Sequence, residues 1–182
     1  MIARTFVMDT SFYGNLLLEP DKELLISKMK STKTIFIIGI DVIEKELFET
    51  PAHVRYRGEA TRKVLLTLFD FLVDEVVKLP PIAAYLAEEY FQAYRKHAKN
   101  KKLLKYGEEN LKTDFQIIAL ASLRSVDVVV SADKRTMLSE LAKKVYGSVN
   151  AKNGLRTPEL VDYTTFKETY LPKDEEKREE GR

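Results

Sequence analysis

Acidic side chains follow three predicted strands of this sequence, close to the point where each strand ends. The strands are predicted from three apolar runs, 2–8, 34–40 and 126–131. The acids that follow them are Asp9, Asp41, Glu44, Glu46 and Asp133. In open sheets of parallel strands, functional sites lie beyond the carboxyl ends of the strands. We therefore expect these acids to lie along one edge of the sheet, although they are far apart in the sequence.

Asp114 is the acid whose direction the sequence predicts most clearly. An aspartate after a strand is by itself more often a helix cap. In the helix predicted over 113–124, however, Thr113 can serve as the cap, and Asp114 shares one face with the apolar residues at i+3, i+4 and i+7. A carboxylate that points into the interior needs a partner. Since no lysine or arginine is an obvious partner, a metal ion shared with Asp9 and Asp133 is favoured.

Two glutamates compete for the remaining position in the acidic cluster. Both lie in the helix predicted over 41–49, where Glu46 falls within the arc of the apolar face and Glu44 points away from it. Glu44 can also complete a capping box with Asp41, which would give it a structural role. We favour Glu46 as the ligand and keep Glu44 as the alternative.

A cluster of four carboxylates without histidine predicts a hard, oxygen-seeking cation, Mg²⁺ or Mn²⁺, and not zinc. The two histidines, His53 and His97, lie in polar segments away from the acids. Ions held in this way activate water and stabilise the charge that develops on a phosphodiester. The acids therefore favour metal-dependent phosphodiester hydrolysis.

The composition is that of one globular domain. The chain has 182 residues, of which 45% are hydrophobic and 32% charged, and its formal net charge of +2 does not by itself indicate a nucleic-acid partner. It has no cysteine, which excludes disulfides, a thiolate zinc site and a cysteine nucleophile. No apolar run is long enough to span a membrane, and the first residues lack a signal-peptide pattern, so we expect a cytoplasmic protein without a membrane partner.

Strand and helix patterns alternate along the chain, which predicts a three-layer α/β/α fold with a central, mostly parallel sheet. We expect one domain over 1–171 and a charged, flexible tail over 172–182. Two further strands are predicted at 76–79 and 161–163, and a closing turn at 166–171. The predicted helices are 21–30, 41–49, 59–73, 82–105, 113–124 and 134–146.

Four segments together resemble the PIN domain family: FVMDTS, DVIEKEL, TDFQIIALA and VVVSAD. Each segment is weak evidence alone, but their order and their strand or helix context are specific. The resemblance implies a PIN-like metal-dependent endoribonuclease with Mg²⁺ or Mn²⁺. It implies that the acidic metal ligands and catalytic residues are Asp9, Glu46, Asp114 and Asp133. It also implies that Ser131 steadies the site and that Thr10 or Ser11 lies at its edge.

A basic run, RKHAKNKKLLK over 95–105, precedes Asp114. Such a run is about as often a solvated face as a phosphate-contacting arm, so both interpretations stay open. As an arm it would bind RNA without sequence specificity. Its basic residues are Arg95, Lys96, Lys99, Lys101, Lys102 and Lys105. A second basic group consists of Arg55, Arg57 and Arg62, with Tyr56 between them. Such a group is more often part of the solvated surface than a contact for RNA.

An aromatic helical pattern, Tyr85, Tyr90, Phe91 and Tyr94, indicates core or dimer packing more than base stacking. PIN domains commonly pair, so the resemblance implies a homodimer. It leaves open a VapC-type toxin, with an antitoxin protein as partner, or a housekeeping RNA-processing nuclease. Toxins of that type tend to be shorter, and the long helix and basic run slightly favour processing.

Other classes of protein fit the sequence less well. A non-catalytic RNA-binding PIN scaffold usually has lost acids, and here all four positions are filled. A haloacid-dehalogenase-like phosphatase requires a second aspartate where Ser11 stands. A receiver domain requires paired acids before Asp9, where position 8 is Met8.

Overall fold

The computed structural model describes residues 3–98 and 108–172, without the side chains of residues 108–110. The charged tail from residue 173 onward and the lysines at 99–105 therefore lie outside the described residues. Seven strands and eight helices are present in the described part. The strands are β1 (Arg4–Met8), β2 (Ile35–Ile40), β3 (Arg55–Tyr56), β4 (Glu59–Ala60), β5 (Glu75–Val77), β6 (Val128–Ser131) and β7 (Glu159–Asp162).

The helices alternate with the strands along most of the chain. They are α1 (Thr10–Leu18), α2 (Lys22–Ser31), α3 (Asp41–Glu49), α4 (Thr61–Leu72), α5 (Pro81–His97), α6 (Glu108–Leu123), α7 (Glu140–Lys152) and α8 (Tyr163–Tyr170). The bounds of α3 agree with the prediction, and α2 agrees to within a residue at each end.

Five strands form one parallel sheet in the order β5-β2-β1-β6-β7. The middle strands are apolar on consecutive positions, as in strands that are buried on both faces: the last three residues of β1 and all of β6 are buried. The predicted parallel sheet is therefore confirmed. The order puts the ends of β1 and β6, and thus Asp9 and Ser131, side by side.

Helices cover both faces of the sheet, and the predicted three-layer architecture is confirmed. On one side α1 contacts α2, α3 and α4, and Phe12 of α1 packs its ring against Phe166 of α8 at 5.7 Å. On the other side α5 contacts α6 and α7. Their shared core contains Tyr90, Phe115 and Tyr146, whose rings pack edge to face. These two layers fix where α1, α3 and α6 lie relative to the sheet edge.

Helix α1 was not predicted, because its sequence carries no clear polar face. Leu16 and Phe12 are fully buried, whereas Leu18 is 73% exposed. Asp9 caps this helix, since its carboxylate accepts the backbone N–H of Ser11 at 3.4 Å. The helix therefore starts directly at the predicted site.

The predicted start of α6 at Thr113 is wrong, because the helix begins at Glu108 and Thr113 lies inside it. The predicted end of α5 at Lys105 is also wrong. That helix ends at His97, and Ala98 closes it by donating its N–H to the carbonyl oxygen of Tyr94. In both cases the sequence near the basic run stays polar and helix-favouring, so helical propensity alone does not locate the boundary.

Three further predictions near the other helices are corrected. The helix predicted from Lys134 begins at Glu140, because Asp133 first organises a turn and Ser139 then caps the helix by accepting the N–H of Ala142 at 3.2 Å. The closing turn at 166–171 is part of α8, and the helix predicted from Glu59 starts two residues later, because β3 and β4 pair as a hairpin.

The predicted capping box of α3 is also wrong. Asp41 does not cap the helix, because its carboxylate Oδ1 accepts the backbone N–H of Leu79 at 3.0 Å. This hydrogen bond ties the end of β2 to the segment after β5. The predicted strand at 76–79 is confirmed as β5, and the predicted edge strand at 161–163 is confirmed as β7.

Gly39 gives a direct test of how closely α4 packs on β2. A Cβ atom at Gly39 would lie 2.7 Å from Phe69 Cζ and 2.8 Å from Val73 Cγ1. We expect Gly39→Ala to lower the free energy of unfolding by about 1–3 kcal/mol because the core has no room for the methyl group. Urea denaturation measures this change.

Gly147 in α7 is the matched control, since a Cβ atom there meets nothing within 4 Å. Gly147→Ala should raise the free energy of unfolding by roughly 0.5–1 kcal/mol, because alanine loses less backbone entropy in a helix. Equal effects of the two substitutions would contradict the packing described here.

Candidate active site

Asp9 lies at the centre of the predicted site and is only 5% exposed. Its carboxylate Oδ2 accepts hydrogen bonds from Ser11 Oγ at 2.6 Å and from Ser131 Oγ at 2.8 Å. Each serine oxygen in turn accepts a backbone N–H: that of Ala132 at 2.8 Å and that of Asp133 at 3.0 Å, respectively. The two hydroxyl hydrogens are thereby directed at Asp9, which joins the end of β1 to the end of β6.

Glu46 reaches the same region from α3. It is half-buried, whereas Glu44 is exposed, so the predicted directions of the two side chains are confirmed. Thr10 Oγ1 donates to Glu46 Oε2 at 2.5 Å, and the Thr113 side chain also hydrogen-bonds to this carboxylate. Thr10 and Thr113 lie near the start of α1 and within α6, so Glu46 links three helices. Its role as a ligand stays a prediction.

Asp114 and Asp133 share one hydroxyl group. Thr136 Oγ1 lies 2.5 Å from Asp114 Oδ2 and 2.6 Å from Asp133 Oδ2. A hydroxyl has a single hydrogen, so it can donate to only one of the two carboxylates. Asp133 Oδ1 also accepts the backbone N–H groups of Arg135 at 2.8 Å and of Thr136 at 2.9 Å. The turn that follows β6 is thus built around Asp133.

Burial and mutual repulsion raise the pKa of three of these acids. Burial raises the pKa of Asp9 and of Glu46, and the charge of Asp9 raises that of Glu46 further. The pKa of Asp114 is raised to about 8, first by burial, then by the charge of Asp9, with smaller contributions from Asp133 and Glu46. The structure therefore brings the four predicted acids within electrostatic reach of one another.

Asp133 differs from the other three acids. Burial raises its pKa, but hydrogen bonds from Thr136 and from the backbone of Arg135 outweigh that effect, and the net pKa is lowered. A protonated Asp114, which its raised pKa favours, can donate to Thr136 Oγ1, while Thr136 donates its own hydrogen to Asp133. This assignment satisfies both short contacts of the shared hydroxyl.

The two basic residues that follow Asp133 differ in their contacts. Lys134 pairs with Asp162 at 2.9 Å, whereas the charge of Arg135 acts on Asp133 and helps to lower its pKa. Hydroxyl groups provide the side-chain hydrogen bonds described above for the four acids. We call this partly buried group, Asp9, Glu46, Asp114 and Asp133 with the serine and threonine hydroxyls that contact them, the acidic pocket.

The donor chemistry of the pocket fits a hard divalent cation. Carboxylate and hydroxyl oxygens are the ligand types that Mg²⁺ and Mn²⁺ prefer, and the pocket offers no sulfur or histidine among the residues above. Within 3–98 and 108–172, however, no three Asp, Glu or His side chains are arranged as the ligands of a metal ion. In the conformation described, the carboxylates instead bind the hydroxyls of Thr10, Ser11, Ser131 and Thr136.

Sequence reasoning missed two residues of the pocket. Thr136 follows Asp133 by three residues, a spacing typical of a side-chain-stabilised turn, which could have indicated it. Tyr146 carries no such signal. Its hydroxyl is buried and lacks a hydrogen-bond partner within the described residues, and its pKa is raised, first by burial and then by the charge of Asp114.

The predicted RNA-binding run is described only in part. Arg95 and Lys96 lie exposed in the last turn of α5. The other four predicted contacts, Lys99, Lys101, Lys102 and Lys105, lie outside the described residues. Their role in binding RNA stays a prediction.

Comparison with models of protein families and with curated proteins finds no match. Comparison with solved structures finds similar folds. A chain of the DNA-bound VapBC complex from Salmonella typhimurium is 14% identical with a TM-score of 0.51, covering 90% of this chain and 99% of that chain. A chain of the FitAB complex bound to the IR36 DNA fragment is 12% identical with a TM-score of 0.51, covering 87% and 94% respectively.

These similarities, over nearly the whole length of each chain, show the fold. The protein has a PIN/VapC-like fold, with a five-stranded parallel sheet between two layers of helices. The fold that the four sequence segments implied is thereby confirmed. In the described ranges, none of the helices combines the length and apolar character needed to cross a lipid bilayer.

The raised pKa of Asp114 predicts how stability depends on pH when divalent metal is removed. The folded state holds a proton up to about pH 8, whereas the unfolded chain releases it near pH 4. The free energy of unfolding should therefore fall as the pH rises from about 4 to 8. Asp114→Asn removes the ionisable group, so at pH 8 in EDTA it should be more stable than wild type by roughly 1–3 kcal/mol.

Denaturant unfolding at several pH values measures this difference. The matched control is Asp70→Asn, which removes an exposed aspartate of α4 and should leave the pH dependence unchanged. An Asp114→Asn variant whose stability falls with pH as steeply as that of wild type would show that Asp114 is not held protonated.

Proposed function

We propose that this chain is an endoribonuclease that uses Mg²⁺ or Mn²⁺, held by Asp9, Glu46, Asp114 and Asp133, to hydrolyse RNA phosphodiester bonds. The observation that carries the proposal is the electrostatic crowding around Asp114, whose pKa is raised to about 8 beside three other acids. A divalent cation would relieve this repulsion and favour the ionised form of every carboxylate. The PIN/VapC-like fold supports the same proposal.

Hydroxyl groups of this chain would orient the ligands. Ser11 and Ser131 hold Asp9, Thr10 holds Glu46, and Thr136 holds Asp114 together with Asp133. These contacts limit the rotation of each carboxylate, so little side-chain entropy is lost when a cation binds. The bound ion would act as a Lewis acid that activates water and stabilises the charge on the phosphodiester. A cation held there would favour the ionised form of Asp114, so binding would be accompanied by loss of its proton.

A non-catalytic RNA-binding PIN scaffold is the alternative. It requires the same fold but assigns no function to the acids. A cluster of buried acids with raised pKa lowers the stability of the folded state near neutral pH. Perturbed carboxylates of this kind concentrate at functional sites. The complete acidic cluster therefore favours the enzyme.

Within the enzyme class, we infer a toxin of a toxin–antitoxin pair. The sequence favoured RNA processing partly because of a long helix over 82–105, but α5 ends at His97. The structures of similar fold come from complexes named VapBC and FitAB. The deciding observation is whether a small protein encoded beside this chain binds it and suppresses its activity.

Exposed apolar side chains of α5 support the predicted homodimer. Tyr90 and Phe91 are buried in the core, as the prediction of core packing required. Ile82 and Tyr85, by contrast, are 59% and 73% exposed one turn apart on the same helix. Large apolar side chains exposed together suit contact with a second copy.

Cleavage of RNA in the presence of Mn²⁺ or EDTA tests the proposed function, with Glu46→Gln and Glu44→Gln as a matched pair. Both substitutions remove one negative charge from α3, but only Glu46 points into the pocket. We expect activity that requires Mn²⁺, a fall in kcat/KM of about 100-fold or more for Glu46→Gln, and near wild-type activity for Glu44→Gln. Asp9→Asn and Asp114→Asn should abolish cleavage.

Cleavage rates are measured with labelled RNAs, both structured and single-stranded, whose products are resolved on denaturing gels. Metal-dependent cleavage that survives both aspartate substitutions would refute the site. Loss of activity in Glu44→Gln but not in Glu46→Gln would reverse the assignment of the two glutamates.

Thr136 should act as a positioning residue for Asp114 and Asp133. Thr136→Val keeps the shape of the side chain but removes the shared hydroxyl, so Mn²⁺ affinity and kcat should fall by about 10- to 100-fold. Thr136→Ser keeps the hydroxyl and should retain most of both. Titration calorimetry with Mn²⁺ and cleavage rates measure the two effects.

Thr67→Val, on the exposed surface of α4, is the control for replacing a threonine with valine. If Thr136→Val binds Mn²⁺ as tightly as Thr67→Val does, the hydroxyl has no part in orienting the ligands.

A further inference from the structure

The hairpin of β3 and β4 carries an arginine in an unfavourable backbone position. Its two turn residues, Arg57 and Gly58, both have positive φ, 49° and 86°, the pattern that a type I′ turn requires. Asparagine and glycine adopt this conformation most readily, whereas a long side chain is strained there. Folding alone therefore does not explain an arginine at the tip.

Basic side chains around the hairpin lie against aromatic rings. Lys22 Nζ is 4.6 Å from the centre of the Tyr56 ring and 3.3 Å from its hydroxyl oxygen. Arg57 Cζ is 5.4 Å from the centre of the same ring. Arg62 Cζ lies 4.7 Å from the centre of the Phe48 ring, and its guanidinium donates to the carbonyl oxygen of Phe48 at 3.2 Å. Cations that stack on rings are held in place without an acidic partner.

The hairpin cations are Lys22, Arg55, Arg57 and Arg62. Within the described part of the chain, none of them forms an ion pair with a carboxylate. Two nearby acids are paired with other residues: Glu49 lies 3.8 Å from Lys45, and Glu59 lies 3.6 Å from Lys63. Three of the hairpin cations, Lys22, Arg57 and Arg62, lie against aromatic rings instead, which leaves their charge available to an anionic ligand.

An exposed aromatic ring adjoins this charge. Phe48 is 57% exposed, although it is large and apolar. It follows Glu46 by two residues in α3, which places the two side chains about 200° apart around a helix roughly 10–12 Å in diameter. The two side chains therefore lie on opposite sides of α3, so a strand of RNA would have to pass around this helix to contact both Glu46 and Phe48.

We propose that the hairpin cations and Phe48 form a binding surface for single-stranded RNA, across α3 from the acidic pocket. The cations would contact phosphates, and the exposed ring would stack on a base, a combination that binds single strands with little sequence preference. The proposal deepens the proposed function, on which it rests for the identity of the nucleic acid. It assigns substrate contacts to residues separate from the predicted metal ligands.

The test measures binding without cleavage, so that it can fail independently of the proposed function. Fluorescein-labelled single-stranded RNA is titrated in EDTA with wild type and with the triple variant Lys22→Gln/Arg55→Gln/Arg57→Gln. The matched control, Lys143→Gln/Lys144→Gln/Lys152→Gln, removes three positive charges from α7 on the opposite helical layer. Fluorescence anisotropy over a range of salt concentrations gives Kd, and thermal unfolding confirms that each variant is folded.

We expect the hairpin variant to raise Kd by about tenfold or more, and the control by far less. The slope of log Kd against log salt should be smaller by about 2 for the hairpin variant, because each phosphate contact on a single strand contributes about 0.7. Phe48→Ser should weaken binding without changing this slope. Equal Kd values for the two triple variants would overturn the proposal.

Arg57→Gly separates binding from folding. Glycine suits the positive φ at this position, so the variant should be at least as stable as wild type and yet bind RNA more weakly, by about threefold or more. Unchanged affinity in Arg57→Gly would remove the tip from the proposed surface. Competition with polyglutamate tests whether the surface instead binds an acidic protein. Polyglutamate and RNA are compared at equal charge concentration, with wild type and with the hairpin variant. If polyglutamate binds wild type more tightly than RNA does and displaces RNA only from wild type, the surface belongs to an acidic protein partner and the proposal is overturned.

Discussion

The rest of the structure depends on one electrostatic constraint, which is that several carboxylates share a small, partly buried space at the end of a parallel sheet. Asp9 is almost fully buried, and its charge raises the pKa of both Glu46 and Asp114. A fold tolerates such crowding only if hydrogen bonds hold the acids or if another charge neutralises them. Here serine and threonine hydroxyls supply the hydrogen bonds. The missing positive charge is what the proposed cation would provide.

The parallel sheet explains why these residues meet at all. β1 lies between β2 and β6, so the segments that follow those strands emerge next to one another. Ser11 and Ser131 then bridge the ends of β1 and β6 through Asp9. Helix α6 adds Asp114 from a part of the chain that belongs to no strand. The pocket is therefore a product of strand order and of the way that α6 packs, and both depend on the apolar core.

The acidic pocket and the hairpin both hold charged side chains that are not paired with a side chain of opposite charge, but they do so in different ways. In the pocket, burial and like charges favour protonation of Asp9, Glu46 and Asp114, which a bound cation would reverse. On the hairpin, Lys22 and Arg57 lie against the ring of Tyr56 in place of a carboxylate. The two features have opposite sign and lie near opposite sides of α3. A polyanionic strand that meets a cation at one and arginines at the other would be held at two places.

Hydrophobic periodicity alone predicted the parallel sheet, since β2 and β6 are apolar on consecutive positions. It also predicted that Glu46 and not Glu44 faces the interior, because helix geometry sets the direction of a side chain from its spacing alone. Boundaries near the polar run were predicted wrongly, since propensity there does not distinguish helix from turn: α5 ends at His97 and α6 begins at Glu108. Only the tertiary structure decided that Thr136 joins Asp114 to Asp133. The contact between Thr136 and Asp114 joins two segments that are distant in sequence. It depends on how those segments pack, so no local sequence pattern predicts it.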